Sequence, residues 1–176
     1  MTIQQINIDR ASKLYPPLRD KAAQFVKLCA QAGFAVLITQ GLRTWAEQEA
    51  MYAQGRLPLA KVNALRKKAG LGAIALKENR IVTNAPAGSS WHNYSLAFDF
   101  VVLDALGKAD WNSAHPQWKK AGQLGTSIGL TWGGNFRSIK DLPHFELTGG
   151  LKLAEARALF AKGGLQEVWG AVHTRL

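Results

Sequence analysis

Two short segments of this sequence carry side chains that can bind a metal ion. His92 and Asp99 lie in the first segment, and His144 lies in the second, three residues after Asp141. Two imidazoles and one carboxylate leave the fourth position of a tetrahedral zinc ion open, as a catalytic zinc site requires. The additional acid, Asp141, is placed to take a proton from a water molecule. The residue types and their order therefore predict a zinc-dependent hydrolase.

Other interpretations of these side chains stay open on the residues alone. Magnesium and calcium prefer oxygen ligands, and a blue copper site needs a cysteine thiolate. Non-haem iron also binds two histidines and one carboxylate, so ligand type keeps iron as an alternative to zinc. A single histidine beside a strand is usually a hydrogen-bonded surface residue, but two segments with complementary ligand types favour a metal site.

The first segment runs into a predicted strand. Apolar residues alternate along positions 96–103, and Asp99 lies on the face opposite the main apolar set. His92 precedes Asp99 by an odd number of residues, so one straight strand would place the two side chains on opposite faces. We therefore predict a turn at residues 93–95, where asparagine and serine are compatible with turn conformations.

The second segment is predicted to be a short strand that begins after Pro143, a residue that suits a strand entrance. His144 and Glu146 share one face of this strand, while Phe145 and Leu147 occupy the other. Glu146 either orients a metal ligand or simply faces the cleft, and the sequence leaves both roles open.

Three segments resemble the family of D-alanyl-D-alanine carboxypeptidases and L-alanyl-D-glutamate endopeptidases, which includes VanY-like and phage endolysin peptidases. Residues 90–99 are similar to the family signature SxHxxGxAxD, residues 141–144 to its later acid-x-x-His block, and residues 41–48 to its GYRTxxxQ segment. Serine replaces the signature glycine at Ser95. Because serine tolerates a positive φ poorly, we expect the local turn to differ slightly from that of the family.

The resemblance implies a zinc ion bound by His92, Asp99 and His144, with Asp141 as the general base. It also implies that Arg43 binds substrate, and a guanidinium is suited to bidentate capture of a carboxylate.

Two further side chains are candidates for substrate binding. Gln48 is predicted to assist the substrate-binding arginine, and Ser90 to bond either a substrate group or the turn before the first histidine. No Gly-x-Ser-x-Gly elbow surrounds Ser90, so we do not expect it to be a nucleophile.

The chain is predicted to be an α+β protein with one catalytic domain over residues 1–176. We expect a small antiparallel sheet that carries the zinc site, flanking helices and no separate cell-wall-binding domain. A lone cysteine, Cys29, is expected to pack in the core. The predicted helices cover a segment from Pro16 to about Gly33 and residues 45–54, 57–70, 116–129, 153–162 and 165–174. Two further strands are predicted at residues 35–39 and 130–133, and a loop is predicted at residues 71–90.

The net charge of +10 at pH 7 indicates which binding partners to expect. No helix-turn-helix, zinc-finger or RNP-type pattern is present, so specific nucleic-acid binding is not expected. The anionic bacterial envelope is the expected partner of the basic surface, with a well-solvated surface as the plain alternative.

The N-terminal residues lack the pattern of a signal peptide, and no apolar run is long enough to span a membrane. Within the family that the chain resembles, this favours a phage endolysin, expected to be a monomer, to accumulate in the host bacterial cytoplasm and to reach the wall by a holin-type route. Its expected substrate is the peptidoglycan stem peptide, cut at the L-alanyl-D-glutamate bond. The alternatives are a D-alanyl-D-alanine carboxypeptidase and a non-catalytic wall- or polyanion-binding protein, and the latter would have no need of Asp141.

Overall fold

The computed structural model describes all residues from Met1 to Leu176 and confirms the predicted α+β class. The helices are α1 (Ile3–Ala11), α2 (Pro16–Gln31), α3 (Trp45–Ala53), α4 (Leu59–Lys68), α5 (Pro116–Ser127) and α6 (Leu153–His173). The strands are β1 (Val36–Gln40), β2 (Ala97–Leu103), β3 (Ala109–Asp110), β4 (Thr131–Trp132) and β5 (His144–Glu146).

The chain divides into two compact units. The first unit comprises residues 1–42 and 95–149 and contains the whole sheet, and the second comprises residues 43–94 and 150–176. The expected single catalytic domain of residues 1–176 stays a prediction. No helix combines the length and the apolar character needed to cross a bilayer.

The sheet of the first unit is antiparallel and has the order β1-β2-β5-β4, with β3 also paired to β2. β2 is therefore an inner strand, bonded to β1 on one side and to β5 on the other. Every residue of β2 is buried except Asp99, which is half-buried. The predicted apolar face is confirmed, and the opposite face of the strand is covered as well.

An aromatic cluster holds β2 and β5 against α2. The ring of Phe25 lies 5.0–6.0 Å from the rings of Phe98, Phe100 and Phe145, and all four side chains are fully buried. Each such burial contributes about 2–3 kcal/mol, and each favourable ring pair about 0.5–1.5 kcal/mol more. Since successive side chains of a strand alternate, this packing turns Asp99 and His144 to the other face of the sheet.

The sequence pattern does not predict helix α1. Its polar side chains attach it to β1: the Asn7 amide accepts from the backbone N–H of Ile38 and donates to the carbonyl of Val36, while Arg10 donates to the carbonyl of Ile38. Such a helix has no apolar stripe, and periodicity of apolar residues could not reveal it.

The second unit contains α3, α4 and α6. Trp45 stacks on Phe160 with ring centres 5.3 Å apart, and Tyr94 meets Phe160 edge-on. α6 is interrupted by non-helical backbone at Gly163 and Gly164, which confirms the two predicted C-terminal helices. Residues 71–90 are largely irregular, as predicted, apart from a short 3-10 turn at Leu76–Glu78.

Candidate metal centre

Two of the predicted ligands are directly opposite each other on neighbouring strands. Asp99 of β2 pairs with His144 of β5 in the antiparallel register, and Phe98 pairs with Phe145 on the core side. The Oδ1 atom of Asp99 lies 3.0 Å from Nδ1 of His144. The sheet itself therefore brings these two donors together, and no loop has to close for them to meet.

The carboxylate of Glu146 contacts the other nitrogen of the His144 imidazole. Its Oε2 lies 3.3 Å from Nε2 of His144, and both side chains are largely buried. A carboxylate at Nε2 favours the tautomer with its proton there, which leaves the lone pair of Nδ1 on the side of Asp99. Of the two roles left open for Glu146, the structure supports the orientation of a ligand.

The electrostatic setting of His144 follows from its two carboxylate neighbours. Burial by itself lowers the pKa of this imidazole, but the hydrogen bonds to Asp99 and Glu146 outweigh burial and raise the pKa to about 9. Two carboxylates thus create a strong preference for positive charge at this point of the sheet. A divalent cation satisfies that preference as well as a proton does.

The segment before β2 turns as predicted. His92 is buried within a 3-10 turn, Trp91–Tyr94, and its carbonyl accepts a hydrogen bond from the backbone N–H of Arg43. The Asn93 amide donates to the carbonyl of Arg43 and accepts from the N–H of Gly88. These bonds fix the turn, and sequence reasoning did not single out Asn93 for this role.

Ser95 ends this turn in the left-handed region, with φ 61°, and is the only non-glycine residue with a positive φ. Ser95 thus adopts a conformation that glycine favours. The expected difference from the turn of the family signature stays a prediction. Its hydroxyl is buried and has no hydrogen-bond partner. The site therefore carries both a backbone strain and an unsatisfied polar atom at this position.

The three predicted ligands form one group. Donor atoms of His92, Asp99 and His144 all lie within 4.8 Å of one another. Two imidazole nitrogens and one carboxylate oxygen are the ligand types of catalytic zinc sites, and they leave a coordination position open. The residues present therefore fit a zinc ion, although the donor types alone also suit non-haem iron.

Asp141 lies in the turn that leads into β5. Its side chain is exposed, its N–H donates to the carbonyl of Gly133, and its own carbonyl accepts from the N–H of His144. The close contact between residue 133 and Asp141 requires glycine at position 133. A Cβ on Gly133 would lie 2.4 Å from the carbonyl oxygen of Asp141 and 3.1 Å from the Cβ of His144. Sequence reasoning missed Gly133, and the only available signal was the Gly-Gly pair after Trp132.

Arg43 and Gln48 are brought together, as their shared prediction requires. Arg43 is 7% exposed, and its Nη1 donates to Oε1 of Gln48 at 3.0 Å. Gln48 is fully buried and donates in turn to the carbonyl of Ala85. Any contribution of Gln48 to substrate binding would therefore act through the orientation of Arg43.

Ser90 is half-buried at the start of the 3-10 turn, where its carbonyl accepts from the N–H of Asn93. Its backbone thus supports the turn before His92. The substrate-binding roles of Arg43, Gln48 and Ser90 stay predictions.

An antiparallel sheet that presents a carboxylate and an imidazole side by side, together with a second imidazole and an adjacent acid, defines a mononuclear metal centre of the hydrolase type. Comparisons with known proteins agree with this class. The family model for D-alanyl-D-alanine carboxypeptidase matches residues 83–147, which include all three ligands and Asp141.

Two known proteins are similar over most of the chain. Peptidoglycan L-alanyl-D-glutamate endopeptidase CwlK of Bacillus subtilis is 30% identical over 143 residues, which cover 77% of this chain and 74% of CwlK. The crystal structure of the L-Ala D-Glu endopeptidase ChiX of Serratia marcescens shares the fold, with 17% identity, a TM-score of 0.52 and coverage of 81% of this chain and 86% of ChiX.

This chain belongs to the zinc metallopeptidase family of D-alanyl-D-alanine carboxypeptidases and L-alanyl-D-glutamate endopeptidases. Zinc is accordingly its cofactor, which settles the choice between zinc and iron that the ligand types left open.

Proposed function

We propose that this protein is a zinc peptidase that hydrolyses the peptidoglycan stem peptide at the bond between L-alanine and D-glutamate. The observation that carries the proposal is the group formed by His92, Asp99 and His144, with Asp141 three residues before the last ligand. The choice of bond is supported by the similarity to CwlK, whose name states that activity.

Zinc, when bound by this group, would polarise the scissile carbonyl and make a water molecule acidic enough to react near neutral pH. Asp141 would accept the proton of that water and return it to the leaving amine. Asp141 is exposed, and its backbone bonds to Gly133 and His144 fix its main chain directly before the ligand His144, which fits this role.

The remaining side chains would orient and bind. Glu146 holds the imidazole of His144 through Nε2, which keeps the ligand in one tautomer. Arg43, itself oriented by Gln48, would bind a carboxylate of the stem peptide with its planar fork of donors. The α-carboxylate of D-glutamate is such a group, next to the bond that is cut.

We further propose that the protein acts as a monomeric phage endolysin, made in the host bacterial cytoplasm and released to the wall by a holin-type route. Cleavage between L-alanine and D-glutamate detaches the stem beyond its L-alanine, with its cross-links, from the glycan strand. That bond is therefore an effective target for lysis. The similarity of residues 90–99 and 141–144 to the motifs shared by endolysin peptidases supports this biological role.

The main alternative is removal of the terminal D-alanine, which the matched carboxypeptidase family favours. Digestion of purified peptidoglycan, followed by mass spectrometry of the soluble products, separates the two reactions. An endopeptidase releases stem peptides that begin with D-glutamate and leaves L-alanine on the glycan. A carboxypeptidase releases free D-alanine and leaves the glycan attached to shortened stems. Release of D-alanine alone would overturn the proposed bond, and the absence of any product would favour a non-catalytic binding protein.

A further inference from the structure

The positive charge of the chain is concentrated in one segment of the second unit. Residues 56–82 contain seven cationic side chains and a single acidic one, Glu78, so this segment accounts for +6 of the net charge of +10. The cations are Arg56, Lys61, Arg66, Lys67, Lys68, Lys77 and Arg80. None of them forms an ion pair with a carboxylate.

Large apolar side chains stand exposed among these cations. Leu76 is 74% exposed, Ile81 57% and Val82 46%. In the sequence, Lys77 directly follows Leu76, and Arg80 directly precedes Ile81 and Val82. Isolated exposed apolar residues are ordinary on soluble proteins, but a group of them within one segment marks a surface for association.

Hydrogen bonds between asparagine side chains and the backbone give this surface a defined shape. The Asn63 side chain of α4 both donates to and accepts from the backbone of Ile74. The Asn79 side chain accepts from the N–H of Gly55 and donates to the carbonyl of Leu57. The segment after α4 is thereby fastened to α4 and to the residues that follow α3.

A shallow depression of about 430 Å³ lies within the same surface, which we call the basic apolar face (α4 and residues 71–82). Its lining combines two cations, Lys77 and Arg80, with the apolar side chains of Ile74 and Val82; Gln54 and Glu78 complete it. The guanidinium of Arg66 donates to Oε1 of Gln54, which adds a third cation beside the depression.

We propose that the basic apolar face docks the protein onto the surface of an anionic lipid bilayer. Cationic side chains would meet the phosphates of the headgroups, while Leu76, Ile81 and Val82 would enter the boundary between headgroups and acyl chains. Polysaccharides and nucleic acids also attract cations, but they provide no apolar phase for the exposed side chains. The mixture of charge and apolar exposure therefore favours a membrane over either polymer. This docking is separate from peptide hydrolysis and does not depend on the proposed bond.

Co-sedimentation of the zinc-loaded full chain with lipid vesicles tests the proposal. Vesicles of phosphatidylcholine with phosphatidylglycerol should bind the protein at least about tenfold more tightly than vesicles of phosphatidylcholine alone. The double variant Lys67→Glu with Lys68→Glu, and the double variant Leu76→Ser with Ile81→Ser, should each lose about tenfold or more in affinity.

The matched control variants change exposed residues of the first unit. Lys119→Glu with Lys120→Glu makes the same change of charge on α5, and Leu106→Ser removes an 80% exposed leucine. Both should bind the anionic vesicles within about twofold of the wild type. An equal loss in the lysine control would mean that net charge alone drives binding, and would overturn the proposed face.

The apolar variant decides between a membrane and a polymer. Unchanged vesicle binding by the Leu76 and Ile81 variant, or equally tight binding of the wild type to a soluble polyanion such as heparin, would overturn membrane docking. A labelled variant provides a second measurement that does not rely on loss of binding. An environment-sensitive dye on Leu76→Cys should shift to the blue with anionic vesicles, and a dye on Leu106→Cys should not. The native Cys29 does not interfere because it is fully buried, and burial raises its pKa to about 12.

Discussion

Nδ1 of His144 lies 3.0 Å from Oδ1 of Asp99, although 45 residues separate the two in the chain. The pair is set by strand register, because the two residues are direct partners across β2 and β5. Two of three metal ligands are therefore preorganised by the core of the sheet. A site built on strands holds its geometry better than one built on loops, which suits a metal centre that must keep one position open.

Glu146 is the side chain whose role depends most directly on that pair. Replacing it by alanine removes the acceptor at Nε2 of His144, so the imidazole loses its fixed tautomer and orientation. We expect Glu146→Ala to weaken zinc binding about 10–100-fold, measured by competition with a chelator. Glu146→Gln keeps an oxygen that can accept the same hydrogen bond and should lose less. Equal zinc affinity in all three proteins would show that Glu146 only faces the cleft.

Asp141→Asn separates proton transfer from metal binding. The amide is nearly isosteric and keeps the backbone bonds to Gly133 and His144, but it cannot accept a proton at neutral pH. We expect kcat to fall about 10²–10⁴-fold while zinc content stays at the level of the wild type. Loss of zinc from this variant would instead identify Asp141 as a ligand, and the assignment of Asp99 would then need revision.

Arg43→Lys tests the proposed recognition of a substrate carboxylate. Lysine keeps the charge but loses the planar fork, and it cannot reproduce the arginine's 3.0 Å hydrogen bond to Gln48 in the same geometry. We expect KM for a stem-peptide substrate to rise with a smaller change in kcat. Unchanged kinetic constants would remove Arg43 from the binding site.

Ser95→Gly should stabilise the protein. The left-handed backbone costs a non-glycine residue about 1–2 kcal/mol, and the buried hydroxyl without a partner costs about 1–3 kcal/mol more. The greater freedom of glycine in the unfolded chain offsets about 0.5–1 kcal/mol of that gain. We therefore expect a net gain of at least about 1 kcal/mol in the free energy of unfolding, seen as a higher melting temperature.

The matched control for this change is Ser127→Gly at the end of α5, where the backbone is helical. Glycine there should lower stability slightly, by about 0.5 kcal/mol. A destabilised Ser95→Gly protein would mean that the serine side chain contributes packing or a hydrogen bond that outweighs its backbone strain.

Alternating residues explain why much of the site could be predicted from sequence. The period of two along β2 and β5 placed Asp99 and His144 opposite their apolar neighbours, and the structure confirms this arrangement. The pairing of these two strands could not be predicted in the same way. It depends on the meeting of Phe98 and Phe145 in the core, which only the folded chain brings about.

Helix α1 and the role of Gly133 could not be predicted, because both depend on contacts that form only in the folded chain. α1 is held by Asn7 and Arg10 through bonds to the backbone of β1, and such bonds leave no periodic signal. Gly133 is needed because a Cβ would collide with the carbonyl of Asp141, a contact formed only in three dimensions. The role of Gly133 thus depends on its contacts in the folded chain rather than on its own sequence context.

Titration of the metal-free protein with zinc tests whether hydrolysis depends on one zinc ion bound by His92, Asp99 and His144. Protein stripped by a chelator should have no activity on purified peptidoglycan, because two imidazoles and one carboxylate without their metal cannot polarise the scissile carbonyl. Activity should rise in proportion to added zinc and reach its maximum at one zinc per chain, and His92→Ala and His144→Ala should neither retain zinc nor recover activity. Full activity in protein whose measured metal content stays far below one per chain would contradict the account.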